Sequence, residues 1–290
     1  MAEDEHPLQE GRVKSLAGGR FHDVAYVEWG DPDSDRVALC VHGLTRQGRD
    51  FDPLAAELAR RGRRVVCPDV AGRGRSGRLP AAELYGLPQY ALDMTVLIAR
   101  LGVEQVDLVG TSMGGLIGMT LAAAPGSPIR RLVLNDVGPF LPEAPLRAIG
   151  QAVVETPRRH ASFEEGEARL RRVHAGFGPL TDAEWRHLAM HSLVEEPDGW
   201  RPHFDPAIGA IFAPERITDI ALWPLWDMIS CPTLALRGAL SDLLTPETAG
   251  EMTRRGPRAD VVEIAGCGHA PSLLPADQIA IVADWLDRTD

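Results

Sequence analysis

The sequence predicts an α/β protein: a mostly parallel sheet with helices on both faces, and a helical insertion between two of its strands. Three observations carry this reading. Short apolar runs at residues 37–41, 65–67, 106–109 and 131–135, resuming at 233–237 and 260–264, have the length and composition of strands buried inside a parallel sheet. Between them lie segments with apolar residues at helical spacing, at 52–61, 90–101, 116–124 and 276–287. From about residue 137 to 228 that rhythm stops, leaving only helix-like stretches at 144–155, 163–175 and 181–193. The expected organisation is therefore a core formed by residues 1–136 and 229–290, with a cap or lid at 137–228.

Taken in order, residues 1–16 read as a frayed lead-in and 21–29 as a first strand, closed by the turn-forming Gly30-Asp31-Pro32-Asp33. The strand at 37–41 runs into His42-Gly43-Leu44-Thr45, and the strand at 65–67 into Asp69-Val70-Ala71-Gly72-Arg73-Gly74-Arg75-Ser76-Gly77. The second of these lacks the Gly-Lys-Ser/Thr end of a phosphate-cradling loop and the third glycine of a dinucleotide loop, so it reads as a structural turn. No repeat and no low-complexity tract interrupts the chain.

Composition narrows the classes of function. A chain of 290 residues with 44% hydrophobic and 24% charged residues is long enough for a sizeable core. Its net charge of −11 opposes a nucleic-acid or anionic membrane surface, both of which call for a positive footprint. Residues 1–10 are acidic and lack the basic and apolar regions of a secretory signal, and no apolar run reaches membrane-spanning length. Cys40, Cys67, Cys231 and Cys267 are widely spaced, with neither metal nor disulfide spacing, and fit buried or inert thiols in a reducing, cytoplasmic compartment.

The chemistry centres on Gly110-Thr111-Ser112-Met113-Gly114, a G-x-S-x-G between a strand and a helix. That context holds a serine on a tight turn with its hydroxyl projecting, above a helix N-terminus whose free N–H groups face a developing anion. A serine needs a base, and the base needs orienting. His269, in Gly266-Cys267-Gly268-His269 just after the last strand, is the candidate base. Two acids compete to orient it. Asp242 is preferred, because it follows the strand at 233–237 and gives the order Ser, Asp, His with the acid one strand before the histidine. Asp136, in Asn135-Asp136-Val137-Gly138-Pro139, reads more simply as a turn former at the hinge of the insertion. Asp260 and Asp277 read as solvated caps. The backbone N–H groups of Met113 and Leu44 are the candidate oxyanion hole, with the Thr45 side chain a further donor, and His42 has a structural hydrogen-bonding role.

With these residues in place, the chain resembles the α/β-hydrolase superfamily, in its serine-nucleophile, esterase-like and carbon–carbon-bond-hydrolase-like branches with a helical cap. The resemblance rests on His42-Gly43-Leu44-Thr45, residues 68–76, residues 110–115, residues 237–242 and Gly266-Cys267-Gly268-His269, in family order. It departs from the family at Asp69-Val70-Ala71-Gly72, where relatives often carry proline before the glycine. The resemblance implies an eight-stranded, mostly parallel sheet, a Ser112–His269–Asp242 triad, no cofactor and no metal. It excludes relatives such as haloalkane dehalogenases and epoxide hydrolases, which need aspartate where Ser112 stands.

The function expected is hydrolysis of a small, largely uncharged carboxylic ester through an acyl-enzyme, with an apolar pocket for which the insertion's Trp185, Trp200, Trp223 and Trp226 are wall material or packing. Cleavage of a C–C bond in ring-fission diketones is the second reading. Those substrates carry carboxylates and call for arginines, whereas Arg147, Arg158, Arg159, Arg169, Arg171 and Arg172 cluster with Glu164, Glu165 and Glu167 like a solvated helix face. Amide, lactone and thioester hydrolysis share the same triad. A ligand-binding protein without turnover is the non-enzymatic alternative. The expected partner is a small-molecule substrate, not nucleic acid or membrane, and self-association is left open.

Overall fold

The computed structural model describes residues 8–213 and 217–288. The first part of the chain forms β1 (Gln9–Ala17), β2 (Arg20–Trp29), β3 (Val37–Val41), α1 (Asp52–Arg60), β4 (Arg64–Pro68), α2 (Leu87–Leu101), β5 (Val106–Thr111), α3 (Met113–Ala122) and β6 (Ile129–Asn135). The chain then leaves the sheet through β7 (Phe140–Leu141), α4 (Glu143–Val154), α5 (Phe163–Val173), α6 (Asp182–Ser192), β8 (Leu193–Glu196), β9 (Gly199–Pro202), β10 (Ile220–Ala221) and α7 (Trp223–Trp226). It returns as β11 (Thr233–Gly238), α8 (Pro246–Met252), β12 (Asp260–Ile264) and α9 (Ala276–Leu286).

Eight strands form one sheet in the order β1-β2-β4-β3-β5-β6-β11-β12. Pairing is antiparallel at β1–β2 and β2–β4 and parallel from β4 to β12. Side-chain alternation explains why the central strands read as unbroken apolar runs. On β3, Val37, Leu39 and Val41 enter the core on one face while Ala38 and Cys40 enter the core on the other. On β6, Leu132 and Leu134 oppose Val133 in the same way.

Two expectations need correcting. The lead-in is not frayed from residue 9 onward: β1 pairs with β2 along its whole length, while residues 1–7 lie outside the described residues. As an edge strand it buries only Ser15 and Ala17, so its outward residues hide the pattern. The insertion also holds more than helices. β8 and β9 form a hairpin and β7 pairs with β10, in short strands that are mostly half-buried or exposed and so leave no apolar run.

Candidate active site

Ser112 stands between β5 and α3 at φ 51° and ψ −113°, a left-handed conformation unusual for a residue with a Cβ. Its neighbours show why glycines flank it. A Cβ on Gly110 would lie 2.4 Å from the Gly114 carbonyl, and one on Gly114 would lie 1.9 Å from the Val41 oxygen. Strand and helix therefore meet at backbone contact, and the serine is pushed out of the turn. Met113 is the first residue of α3, where an N–H has no intrahelical partner, so it faces the site with the positive end of the helix dipole.

The loop after β3 passes over this turn, with the Cβ position of Gly43 3.8 Å from Ser112 Cβ. His42 holds it from below: its Nδ1–H donates to the Gly43 oxygen at 2.7 Å, and its Nε2 accepts from the Val70 N–H at 2.8 Å. Burial lowers the imidazole pKa to about 3, so the ring stays neutral and keeps its acceptor nitrogen. The structural role expected of His42 is what these contacts describe. Arg73 fixes the next peptide. It is fully buried, donates through Nε to the Leu44 oxygen at 2.8 Å and through Nη1 to the Tyr90 hydroxyl at 2.8 Å, and lies over the Tyr90 ring. The Leu44 peptide is thereby held by its carbonyl, with Leu44, Thr45 and Ser112 lining one cavity. The segment from Asp69 to Gly77 is a structural turn. The Asp69 carboxylate accepts from Gly48 N at 2.7 Å and Arg75 N at 2.9 Å, and the Gly72 N–H closes onto the Gly77 oxygen at 2.8 Å.

His269 follows β12 on a loop tied down from two sides. Leu240 N donates to the Cys267 oxygen, and Gly268 N donates to the Gly176 oxygen of the insertion, both at 2.8 Å. His269 Nε2 lies 2.9 Å from Ser112 Oγ, and its Nδ1 lies 2.8 Å from Asp136 Oδ2. The carboxylate that meets His269 is therefore Asp136 and not Asp242, a correction to the acid expected from the sequence. Asp136 follows directly on β6 at φ 56° and is fully buried. Its Oδ1 accepts from Gly238 N at 2.7 Å and its Oδ2 accepts from Ser241 Oγ at 2.6 Å, so both oxygens are occupied.

The turn after β11 explains the exchange. Ser241 points inward to Asp136, and its Oγ also accepts from the N–H groups of Leu243 and Leu244 at 3.3 Å. That sends Asp242 outward, exposed, to the cavity wall. The signal present in the sequence was that Asp136 follows the apolar Leu132-Val133-Leu134 with only Asn135 between, at the end of a buried strand where a carboxylate must be partnered.

Above Ser112 and His269 lies a cavity of about 270 Å³. Its apolar wall comes from α4, through Pro145, Ala148, Ile149 and Ala152, and from Val173 and Phe177. None of Trp185, Trp200, Trp223 and Trp226, read from the sequence as wall material or packing, lines it. Trp185 stacks on Phe177 at 6.2 Å, Trp200 meets Phe163 edge-on at 5.1 Å, and Trp226 is buried with Nε1 donating to the Arg255 oxygen. Sequence reasoning missed His174 and Arg46, which also line the cavity. Burial, the Arg46 cation and His269 push the His174 pKa well below the usual imidazole range. Arg46 is committed to Asp50 by two bonds at 2.7 and 2.8 Å.

Cys40, Cys67, Cys231 and Cys267 are unpaired, and burial raises the thiol pKa of Cys67 and Cys267, and that of Cys231 to about 11. Among the described residues, Asp52, His187 and His191 form the one group compact enough to hold a metal ion. Arg49 already donates to both Asp52 oxygens, at 2.8 and 2.7 Å, and His187 Nε2 donates to the Arg49 oxygen at 3.0 Å, so the cluster reads as an ion-paired clasp between α6 and the start of α1. No helix among the described residues is long and apolar enough to cross a membrane. Asp260, expected to be a solvated cap, accepts from Trp285 Nε1 at 2.8 Å.

Known proteins align with this architecture over nearly its whole length. A 3-hydroxybutyrate-oligomer hydrolase from Cupriavidus necator is 49% identical, covering 95% of this chain and 96% of its own. An sn-1-specific diacylglycerol lipase from Mus musculus is 29% identical over 88% of this chain and 83% of its own. The crystal structure of an alpha/beta hydrolase from Novosphingobium aromaticivorans superposes with a TM-score of 0.83 at 31% identity, covering 99% of this chain and 100% of that one. A family model described as alpha/beta hydrolase fold matches residues 37–276, and the chain belongs to that family of hydrolases.

Proposed function

We propose that this hydrolase is a serine carboxylesterase that cleaves short oligoesters of a small hydroxy acid, with Ser112, His269 and Asp136 as its triad and residues 137–228 as a cap over the site. The observation that carries the reading is the unbroken line from Ser112 Oγ to His269 at 2.9 Å and on to Asp136 at 2.8 Å, ending on a fully buried carboxylate. His269 Nε2 takes the serine proton as Oγ bonds to the ester carbonyl carbon, and Asp136 keeps the other ring nitrogen protonated and offsets the imidazolium charge. The N–H groups of Met113 and Leu44 receive the carbonyl oxygen as it becomes an oxyanion. The alcohol leaves with the proton held on His269, and water repeats the sequence on the acyl-enzyme. The name of the 49% identical relative supports the oligoester, and the apolar α4 wall suits its uncharged acyl part.

The test is hydrolysis of p-nitrophenyl butyrate and of short 3-hydroxybutyrate oligomers by wild type and three variants. Ser112→Ala is expected to abolish turnover and its burst, and Asp136→Asn to lower kcat by about 10⁴-fold, the size of effect known for a triad acid. Asp242→Asn is expected to lose far less. A large loss in Asp242→Asn with Asp136→Asn near wild type would return the orienting role to Asp242. Turnover of ring-fission diketones without any ester turnover would move the chemistry to C–C cleavage.

A further inference from the structure

Beyond the Ser112 cavity, the insertion and the loop after β4 enclose a second, larger space of about 700 Å³. Its charged lining is Arg78, Arg158, Arg159 and Arg201 against a single acid, Glu196. In a chain of net charge −11 this is a local reversal of sign. The two spaces are continuous in their walls, because Val153 and Thr156 at the end of α4 line both.

The ion pairs leave positive charge over. Glu196 meets Arg159 Nη1 at 2.6 Å and Arg201 Nε at 2.6 Å, and Asp198 also pairs with Arg159, so these two arginines are matched by two acids and the surplus lies with Arg158 and the loosely held Arg78. Arg78 Nε reaches only to 3.8 Å from Asp205, whose Oδ2 already accepts from the Tyr85 hydroxyl at 2.7 Å. Arg158 is exposed and has no partner among the described residues. The inner cavity has the opposite bias. Its arginine, Arg46, is spent on Asp50, and the exposed carboxylate of Asp242 stands in its wall. A carboxylate is therefore disfavoured beside Ser112 and favoured in the outer cleft.

We propose that the outer cleft, through Arg158 and Arg78, seats the free carboxylate end of an oligoester substrate. The inference rests on the ester reading above and gives that substrate a direction. A linear hydroxy-acid oligomer carries one charge, at its acid end. With that end in the cleft, the hydroxyl-terminated, uncharged portion lies in the inner cavity as the acyl group. Ser112 Oγ bonds to its carbonyl carbon and the C–O ester bond breaks. The departing oxygen takes the proton from His269, and the fragment that leaves is a hydroxy acid still held by its carboxylate. Water then attacks the acyl-enzyme, and the second product is the hydroxyl-terminated fragment, released as an acid.

The experiment compares a 3-hydroxybutyrate trimer as the free acid with the same trimer as its methyl ester, with p-nitrophenyl butyrate as the reference ester. For wild type, a lower KM for the free acid by about 1.5- to fivefold is expected, the range for exposed charge pairs, shrinking as salt is added. In Arg158→Gln, and further in Arg78→Gln/Arg158→Gln, the ratio of the two KM values should fall toward one. Since the comparison of the two trimers in wild type needs no variant, it stands even if a variant folds poorly. Equal KM values in wild type, with p-nitrophenyl butyrate still cleaved, would overturn the carboxylate seat and leave the esterase intact. No cleavage of any of the three would overturn both. Preference for 3-hydroxybutyryl-coenzyme A over the free-acid trimer, lost in Arg158→Gln, would also overturn it by giving the cleft to a phosphate.

Discussion

Asp136 carries more of this site than its position suggests. Its carboxylate receives Gly238 N–H, Ser241 Oγ–H and His269 Nδ1–H, and its own N–H bonds the Leu236 oxygen at 2.8 Å. The buried carboxylate thus meets three donors, one on Oδ1 and two on Oδ2, which offset the cost of keeping it from water. Ser241→Ala removes one donor without touching the serine or the histidine. A hydrogen bond to a charged group is worth about 1.5–3 kcal/mol, so kcat on p-nitrophenyl butyrate should fall by about tenfold or more while KM stays put. An unchanged kcat would show that Gly238 and the backbone suffice. Residues were the least legible scale in the sequence. Ser112, Met113, Leu44 and His269 could be placed because each sits at a fixed offset from a strand end. The choice between Asp136 and Asp242 could not, because both follow strands in the correct order. What separates them is the inward rotation of Ser241, a consequence of three-dimensional packing.

At the scale of elements, the close meeting of β5 and α3 makes a sharp prediction about glycine. Gly114→Ala would force a Cβ to within 1.9 Å of the Val41 backbone oxygen, which no rotamer can relieve. Loss of more than about 4 kcal/mol, or failure to fold, is expected in a thermal melt. Gly250, inside α8, is the control: nothing lies within 4 Å of its added Cβ, and Gly250→Ala should stabilise by about 0.5–1 kcal/mol. Most elements of the core could be read because burial on both faces makes their strands continuously apolar. β1 and the β8–β9 hairpin could not, since edge and half-buried strands keep polar residues at every other place or more. The four tryptophans could be read either as wall or as packing for a related reason: bulk and apolarity mark a packed interior without saying which interior.

For the molecule as a whole, the buried histidines set its tolerance of acid. His42 titrates at about 3 in the folded chain and His191 at about 4, both lowered first by burial, against an ordinary value near 6.5. Between those values and the ordinary one, the unfolded chain holds protons that the folded chain refuses. Stability from these groups is complete above about pH 6.5 and drains away as pH falls through the window, by about 1.4 kcal/mol per pH unit for each such proton. Urea midpoints measured from pH 7.5 down to 4.5 should therefore fall on the acid side, and His42→Asn should flatten that fall. A slope identical in the variant would assign the acid sensitivity elsewhere.

The acid at the foot of the insertion also bears on how such enzymes diversify. Because Asp136 is anchored by residues outside 137–228, the segment after it can be exchanged, lengthened or rebuilt without moving this acid, provided the new segment again supplies the acceptor that Gly176 gives to the His269 loop. A recombination joint placed at residue 138 would keep the acid in place under a foreign roof. One placed two residues earlier would discard it.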